Sequence, residues 1–498
     1  MNGKIILVGA GPGCPGLMTL RGKQALETAD VILYDRLVGD EIIAMIPETA
    51  LMVDVGKSSG RHLVAQDQIN TLLLEYARAG KTVVRLKGGD PYLFGRGAEE
   101  LEAVVRENIP FEVVPGVTSA TAVPAYAGIP VSHRDFSSSV HIITAHKKNG
   151  KAPDLDYKSL KKLGGTLVFL MGIGTIDIVT SGLIAAGMPA DTPAALIENG
   201  TRPNQRKIIE TLENISECGK AEEFAPPSIL LVGSVCLKHK ELDWFSQLPL
   251  YGKKIIVTRP EKLSTLSQKL RELGADVVNI PCIRTSGLPL PESMFKEIDA
   301  YDWIVFTSPT GSEIFFSRLK TFGIDIRTLS KIKIAAIGEK TALIFKEHGI
   351  YVDYMPDKYN ARELGAGLPY DTSKENNRVL LFRAEAGTPQ LVYTLRERGF
   401  HVDDAPVYKT IFESAGLSQL AGMLDRNEPD YLTFTSASTV QSFVATASEI
   451  SLNCKDIKAI CIGGETAAEA EKHGFKVIVS KKATIESMVE KLLEEQRC

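Results

Sequence analysis

Glycines at positions 11, 13 and 16 follow the apolar run 5–8 and give the spacing G-x-G-x-x-G. In dinucleotide-binding domains this spacing brings backbone amides against a pyrophosphate, and an acidic residue about 20 positions further on holds a ribose hydroxyl. Asp35, at the end of a second apolar run, has that spacing. Pro12 and Pro15 weaken the interpretation, because a phosphate-binding turn uses N–H groups that proline lacks. A nicotinamide oxidoreductase therefore stays an alternative hypothesis.

Two more small-residue turns follow predicted strands. The stretch "LKGGDPYLFGRG" comes after the apolar run 82–86 and carries its own acid, Asp90, and "VPGVTSA" comes after the run 111–114. Glycine lets the backbone approach a ligand closely, because it has no Cβ. Three such turns after three strands predict a pocket for a flat ligand better than they predict a single phosphate loop.

The composition is that of a soluble globular protein with more than one domain. The chain has 498 residues, 44% hydrophobic and 24% charged, and a net charge of −4, which gives no general attraction to nucleic acid. Its seven cysteines form no C-x-x-C pair, so we expect no metal site, no disulfide framework and a reducing cytoplasm. We expect no signal peptide. Glycines and Asp177 interrupt the apolar stretch 165–188, which predicts a buried strand, a turn and a short helix instead of a membrane span.

Short apolar runs, typical of strands, alternate with polar, helix-like stretches along the chain, which predicts an α/β fold. A break at 246–252, "SQLPLYG", separates residues 1–245 from 252–498, and the second part repeats itself: Arg259 is matched by Arg383 and Gly338 by Gly463. In each repeat, strands end in hydroxyl residues at helix starts, an arrangement that suits anionic ligands. The cleft between the repeats then suits a large acidic ligand. The candidate binding residues there are Thr307, Ser308, Thr341 and Ser436.

Residues 3–245 carry a set of motifs that resembles the uroporphyrinogen-III C-methyltransferases, of the tetrapyrrole methylase class. The motifs include "VGAGPGCPGLMTLRG", "YDRLV", "RLKGGDPYLFGRGAEELE", "VVPGVTSA", "GIPVSHRD" and "ALIENGTRPNQR". The chain departs from the family at "TAH" and "GRGAEE", where a glycine is usual in place of alanine. The resemblance implies S-adenosylmethionine bound between two α/β lobes, in contact with Pro12, Gly88, Gly89, Asp90, Leu93, Thr118, Ser119, Met171 and Gly200.

The resemblance also implies catalytic roles. Asp35 matches the proposed base and Lys57 the proposed acid of methyl transfer to a pyrrole carbon. If the family resemblance is left aside, Asp35 is interpreted as an aspartate in a turn and Lys57 as a surface lysine. Met171 is then interpreted as a residue packed in the core. The substrate carries many carboxylates, so cations near the cleft matter more than the net charge. The candidates that would bind it are Arg61, His62, Arg96, His133 and Arg134.

Residues 252–498 resemble uroporphyrinogen-III synthases through "VTRP", "FTSPTG", "AAIGEKTA", "PVYKT", "FTSAST" and "CIGGETAAEA". This family closes linear hydroxymethylbilane with inversion of its last ring and uses no cofactor. Tyr408 matches the candidate acid, and Thr466 and Ser436 match polar cleft residues. We expect Tyr408 and Thr466 to be catalytic and Ser436 to bind substrate. The family's double crossover implies one lobe of 252–283 plus 409–498 and another of 284–408, and sequential halves are the alternative.

Together these features predict a cytoplasmic, bifunctional enzyme with a two-lobed methylase followed by a two-lobed α/β synthase. It would make uroporphyrinogen III and methylate it at C2 and C7 to precorrin-2, on the way to sirohaem or cobalamin. The methylase family suggests a homodimer through the N-terminal part, with neither nucleic acid nor membrane as a partner. The alternative for the C-terminal half is a non-catalytic, two-lobed anion-binding module.

Overall fold

A computed structural model gives the arrangement of most of the chain. It describes residues 3–47, 49–56, 66–145, 154–259, 265–373, 377–387, 389–412, 417–426, 428–449 and 457–497. The fold is α/β, as predicted, and the described residues form four five-stranded sheets. Among the helices in these ranges, none combines the length and the apolar character that crossing a bilayer requires.

The first sheet is parallel throughout, with strand order β3-β2-β4-β1-β5. Its central strands are apolar on both faces because helices cover both sides. Because all five strands are parallel, their carboxyl ends lie at the same edge of the sheet. The elements are β1 Lys4–Gly9, α1 Leu20–Glu27, β2 Val31–Tyr34, α2 Asp40–Ile43, β3 Leu51–Asp54, α3 Gln66–Arg78, β4 Thr82–Lys87, α4 Gly97–Arg106, β5 Phe111–Val114 and α5 Ser119–Tyr126.

The second sheet is mixed, with order β6-β7-β10-β8-β9 and one parallel pair, β6 with β7. The stretch 165–188 forms a strand, a 3-10 turn and a helix, which confirms that prediction. The elements are β6 Val140–Thr144, α6 Tyr157–Leu163, β7 Thr166–Leu170, α7 Ile176–Ala185, β8 Pro193–Glu198, β9 Arg206–Thr211, α8 Ile215–Ala221, β10 Ser228–Val232 and α9 His239–Leu242.

The third sheet is parallel, with order β12-β11-β18-β19-β20, and takes its strands from two distant stretches of chain. The fourth, of order β13-β17-β16-β14-β15, is formed by the chain between those stretches and is parallel except at β13. Each sheet has its own apolar core on both faces.

The elements of these two sheets follow in chain order. They are β11 Lys254–Val257, α10 Thr265–Glu272, β12 Asp276–Asn279, β13 Ile283–Gly287, α11 Glu292–Lys296, β14 Trp303–Phe306, α12 Pro309–Thr321, β15 Lys333–Ala336, α13 Glu339–Glu347, α14 Ala361–Gly367, β16 Asn377–Ala384, α15 Gln390–Glu397, β17 Phe400–Phe412, α16 Leu417–Asp425, β18 Tyr431–Phe434, α17 Ala437–Glu449, β19 Lys458–Cys461, α18 Gly464–Lys472, β20 Lys476–Val479 and α19 Ile485–Glu495.

An ion-pair triad joins α1 to strands β1 and β5 of the first sheet. The Glu112 carboxylate on β5 lies 2.6 Å from Arg21 Nε and 2.5 Å from Lys4 Nζ, and the hydrogen bonds from Arg21 and then Lys4 lower the pKa of Glu112 from 4.5 to about 2. A carboxyl group whose pKa is lowered by folding stabilises the folded state at pH values above its ordinary pKa. That stabilisation is lost as the pH falls toward about 2.

We expect Glu112→Gln to lower the free energy of unfolding by about 1 kcal/mol or less at pH 7, because the triad is partly exposed to solvent. The difference from wild type should narrow as the pH falls from 4.5 toward 2. Urea unfolding across that pH range measures it, and a difference independent of pH would contradict the assignment.

Candidate functional site

Three glycine turns meet at the carboxyl edge of the first sheet. Gly11 and Gly89 exchange backbone hydrogen bonds, with N···O distances of 3.1 and 2.7 Å. A Cβ placed on Gly116 would lie 2.2 Å from the Gly89 oxygen and 2.7 Å from Gly9 Cα. The turns after β1, β4 and β5 therefore form one continuous backbone surface, which a side chain at Gly116 would disrupt.

Asp90 ties two of these turns together. Its Oδ1 accepts hydrogen bonds from the N–H groups of Tyr92 at 2.9 Å and Leu93 at 3.1 Å, and its Oδ2 accepts one from Gly116 at 3.0 Å. The carboxylate thus organises the turns after β4 and β5 from within. Its direct contact with a ligand stays a prediction.

The loop after β2 packs onto the same surface. A Cβ on Gly88 would lie 2.9 Å from Leu37 Cβ, and one on Gly39 would lie 2.8 Å from the Gly13 oxygen. Arg202, from the second lobe, donates to the Leu37 carbonyl at 3.2 Å. The glycine turns, this loop and Arg202 of the second lobe therefore lie directly against one another.

The second lobe adds residues held in unusual backbone conformations. Met171 follows β7 with a φ of 57°, and half of its side chain is exposed, so the core-packing interpretation of Met171 is wrong. Asn199 and Thr201 flank Gly200 with φ values of 50° and 68°. A Cβ on Gly200 would lie 2.2 Å from Val123 on α5, so tight packing against that helix explains this glycine. Non-glycine residues with positive φ are strained and concentrate at functional sites.

The other predicted cofactor residues lie on the same turns. Thr118 caps α5, its hydroxyl accepting from the Ala120 N–H at 3.2 Å, and Ser119 begins the helix. Leu93 packs beside the apolar cluster under α5, and Pro12 is half-buried between Gly11 and Gly13.

A buried group of charges lies directly beneath Asp35, and sequence reasoning missed it. The Asp35 Oδ1 accepts from Arg85 at 2.7 Å. Arg85 and Lys87 both bind Glu100, with Lys87 Nζ 2.7 Å from Glu100 Oε1, and the side chains of Arg85, Lys87 and Glu100 are 2, 6 and 1% exposed. Burial, then the neighbouring Arg85 charge, lowers the pKa of Lys87. Two cations alternating with apolar residues in "VVRLK" were the available signal.

The predicted substrate cations are placed only in part. Arg96 immediately precedes α4 and pairs with Glu99 at 2.5 Å, and His133 lies in a turn where its Nδ1 is 3.7 Å from Asp135. Arg134 is exposed in the same turn. Lys57, Arg61 and His62 lie outside the described residues.

In the C-terminal half, the structure brings two predicted residues into contact. The Tyr408 hydroxyl on β17 donates to Ser308 Oγ at 3.1 Å, and the same oxygen accepts from the Gly311 N–H at the start of α12. Thr307 precedes Ser308 and bonds the Phe382 carbonyl, while Thr341 is buried in the first turn of α13. These residues belong to the fourth sheet and its helices.

Two more predicted residues belong to the third sheet. The Ser436 hydroxyl follows β18 and lies 2.9 Å from Ser438 Oγ and 3.2 Å from Thr439 Oγ1. Thr466 lies in the first turn of α18 and is 4% exposed. Within the described ranges, no three His, Cys, Asp or Glu side chains are grouped so that they could hold a metal ion.

Two family models match the chain, one in each half. The model of the tetrapyrrole (corrin/porphyrin) methylases matches residues 4–216, and the model of uroporphyrinogen-III synthase HemD matches residues 264–490. The porphyrin biosynthesis protein HemD of Ruminiclostridium josui is 46% identical over 497 residues, covering 99% of this chain and 98% of that protein.

Two further similarities are to methyltransferases. The uroporphyrinogen-III C-methyltransferase of Bacillus subtilis is 41% identical over 70% of this chain and 73% of its own. The crystal structure of uroporphyrin-III C-methyltransferase from Thermus thermophilus, complexed with S-adenosyl homocysteine, is 39% identical over 47% of this chain and 98% of its own, with a TM-score of 0.41.

Proposed function

Because the chain belongs to the tetrapyrrole methylases and to the HemD uroporphyrinogen-III synthases, and so to tetrapyrrole biosynthesis, we propose that it performs two successive reactions. The C-terminal module, 252–498, closes hydroxymethylbilane to uroporphyrinogen III with inversion of ring D. The N-terminal module, 1–245, transfers two methyl groups from S-adenosylmethionine to C2 and C7, giving precorrin-2.

The observation that carries the methyl-transfer proposal is the meeting of three glycine turns with the loop after β2. Gly88, Gly89 and Gly116 expose backbone groups without side chains, which suits close contact with adenine and with the amino-acid part of the donor. Pro12, Leu93, Thr118, Ser119, Met171 and Gly200 complete the proposed donor site.

Asp35 is the proposed base of methyl transfer. A carbon–methyl bond forms as the sulfur–methyl bond breaks, and because the methylated ring carbon carries no hydrogen, the proton that restores neutrality leaves from a neighbouring bridging methylene or ring nitrogen. Asp35 is partly exposed at the end of β2, and Arg85 holds one of its oxygens at 2.7 Å, which fixes the direction of the carboxylate. We propose Lys57 as the acid, and Arg61, His62, Arg96, His133 and Arg134 as partners of the substrate carboxylates.

Tyr408 is the proposed acid of ring closure. Loss of the substrate hydroxyl leaves a stabilised cation, so the enzyme has to fold the chain and assist the departure of water. The phenol proton of Tyr408 points to Ser308 Oγ, and Ser308 can pass on its own proton. Thr307, Thr341, Ser436 and Thr466 then bind the folded substrate. We propose that ring closure needs no cofactor. We also propose that the enzyme is cytoplasmic and forms a homodimer through the methylase module.

The test uses the full chain with hydroxymethylbilane, with and without S-adenosylmethionine. Mass spectrometry should show a product with two added methyl groups only when both are present, and uroporphyrinogen III alone without the donor. Formation of only the uninverted isomer, at the spontaneous rate, would reject the synthase assignment and leave the anion-binding alternative. Unmethylated uroporphyrinogen III with the donor present would reject the methylase assignment.

A further inference from the structure

The segment between the two modules is packed on both sides. Tyr126, at the end of α5, has ring centroids 5.0 Å from Trp244 and 4.9 Å from Phe245. A few residues on, Leu250 is fully buried in the core of the third sheet. Aromatic contacts of this kind add to the apolar burial. This segment therefore anchors the two modules to each other instead of acting as a loose linker.

Tyr251, in the segment that joins the two modules and next to Leu250 of the third sheet's core, reaches the strained turn of the methylase site. Its hydroxyl donates to the Gln205 carbonyl oxygen. The Gln205 side chain is 4% exposed and accepts from the Thr201 N–H at 2.9 Å and donates to the Tyr126 carbonyl at 3.1 Å. Gln205 thus connects Tyr251 to the turn that carries Gly200 and to the helix that begins at Ser119.

A second contact reaches the other side of the same site. Arg271 on α10 pairs with Glu41 on α2 at 2.5 Å, with side chains 17 and 25% exposed. Glu41 follows the loop 35–39, which packs on Gly13 and Gly88. Asp276, which pairs with Lys254 at 3.5 Å, also lies near this ion pair and is influenced by Arg271, and Arg202 of the methylase module faces Glu41 as well. Within the described ranges, the ion pair with Glu41 that spans the two modules is the one made by Arg271.

We propose that the synthase module is a structural part of the methylase site, with Tyr251 and Arg271 as positioning residues for the turn 199–205 and the loop 35–41. The inference rests on the proposed function, because it concerns the binding of S-adenosylmethionine at that site. A contact that stabilises the ligand-binding conformation of the turn strengthens ligand binding. By thermodynamic reciprocity, the bound ligand stabilises that contact to the same extent. The fusion then couples the two modules energetically as well as covalently.

Strain in the turn 199–205 explains why the Tyr251 hydroxyl, which lies outside that turn, should affect ligand binding. Asn199 and Thr201 have positive φ, so the turn needs outside contacts to keep that conformation. Loss of one buried hydrogen bond lowers the population of the competent conformation, and the apparent affinity falls in the same proportion.

The test measures S-adenosylhomocysteine binding to the full chain by calorimetry, together with kcat and KM for S-adenosylmethionine and the rate of ring closure. We expect Tyr251→Phe to weaken binding about 3- to 10-fold and to raise KM by the same factor, with kcat and ring closure unchanged. Tyr301→Phe is the matched control, because it removes a phenol hydrogen bond of 2.7 Å to Asp403 on the fourth sheet. That variant should bind as wild type does.

The ion pair allows a rescue experiment. Arg271→Glu places two carboxylates together and should weaken binding about 10-fold, and adding Glu41→Arg should restore it to within about twofold. Wild-type affinity in both Tyr251→Phe and Arg271→Glu would overturn the inference and leave the proposed function standing. Failure of wild type itself to bind S-adenosylhomocysteine would overturn the proposed function and the inference with it.

Discussion

Replacement of Asp90 by alanine is expected to weaken S-adenosylmethionine binding about 100-fold and to leave ring closure at the wild-type rate. The carboxylate accepts three backbone hydrogen bonds, at 2.9 to 3.1 Å, that join the turns after β4 and β5. Hydrogen bonds to a charged group contribute about 1.5 to 3 kcal/mol each. A loss in binding free energy equal to one or two such bonds, about 3 kcal/mol, corresponds to about 100-fold in affinity. Calorimetry with S-adenosylhomocysteine measures the first effect, and a hydroxymethylbilane assay measures the second.

Asp156→Ala provides the matched control for this experiment. Asp156 also accepts a backbone hydrogen bond, from Ser159 at 3.0 Å, but it caps α6 in the second lobe. Its removal should leave ligand binding unchanged. A parallel fall of methylation and ring closure in a folded Asp90→Ala protein would contradict the assignment of the two reactions to separate modules.

Tyr408→Phe is expected to slow formation of uroporphyrinogen III about 100-fold or more, because the substitution removes the proposed proton donor and keeps the ring. General acid assistance is worth about 100-fold or more in rate, whereas one partly exposed hydrogen bond contributes only about 1 kcal/mol to stability. The measurement is closure of hydroxymethylbilane at enzyme excess, with separation of the III isomer from the I isomer that forms spontaneously.

The melting temperature of Tyr408→Phe shows whether its effect concerns chemistry or packing. A large fall in rate with an unchanged melting temperature would indicate a role in the chemistry. Tyr301→Phe, in the same module, loses a phenol hydrogen bond of similar length and should close the substrate at the wild-type rate. A near-normal rate for Tyr408→Phe would make Tyr408 a packing residue. The cleft would then act by folding the substrate, and Thr466 and Ser436 would be the next positions to replace.

Local patterns predicted the elements and the places where chemistry could occur. The glycine turns after β1, β4 and β5 were predictable, because a short apolar run followed by small residues is the signature of a parallel strand and its loop. The strand, turn and helix within 165–188 were predictable for the same reason. Family motifs predicted which turns hold ligands, and the family models that match the chain confirm the two families.

Contacts between distant residues depended on the tertiary structure. Arg85 and Glu100 meet because α4 packs on the face of β4 that carries Arg85, and a charge pattern on one strand does not reveal its buried partner on a helix. Tyr408 and Ser308 are 100 residues apart and meet only through the order of strands in the fourth sheet. Likewise, Gly200 packs on Val123 and Tyr251 bonds Gln205 because two lobes and two modules dock. Periodicity and propensity act over a few residues, whereas docking depends on surfaces that exist only once each sheet has formed.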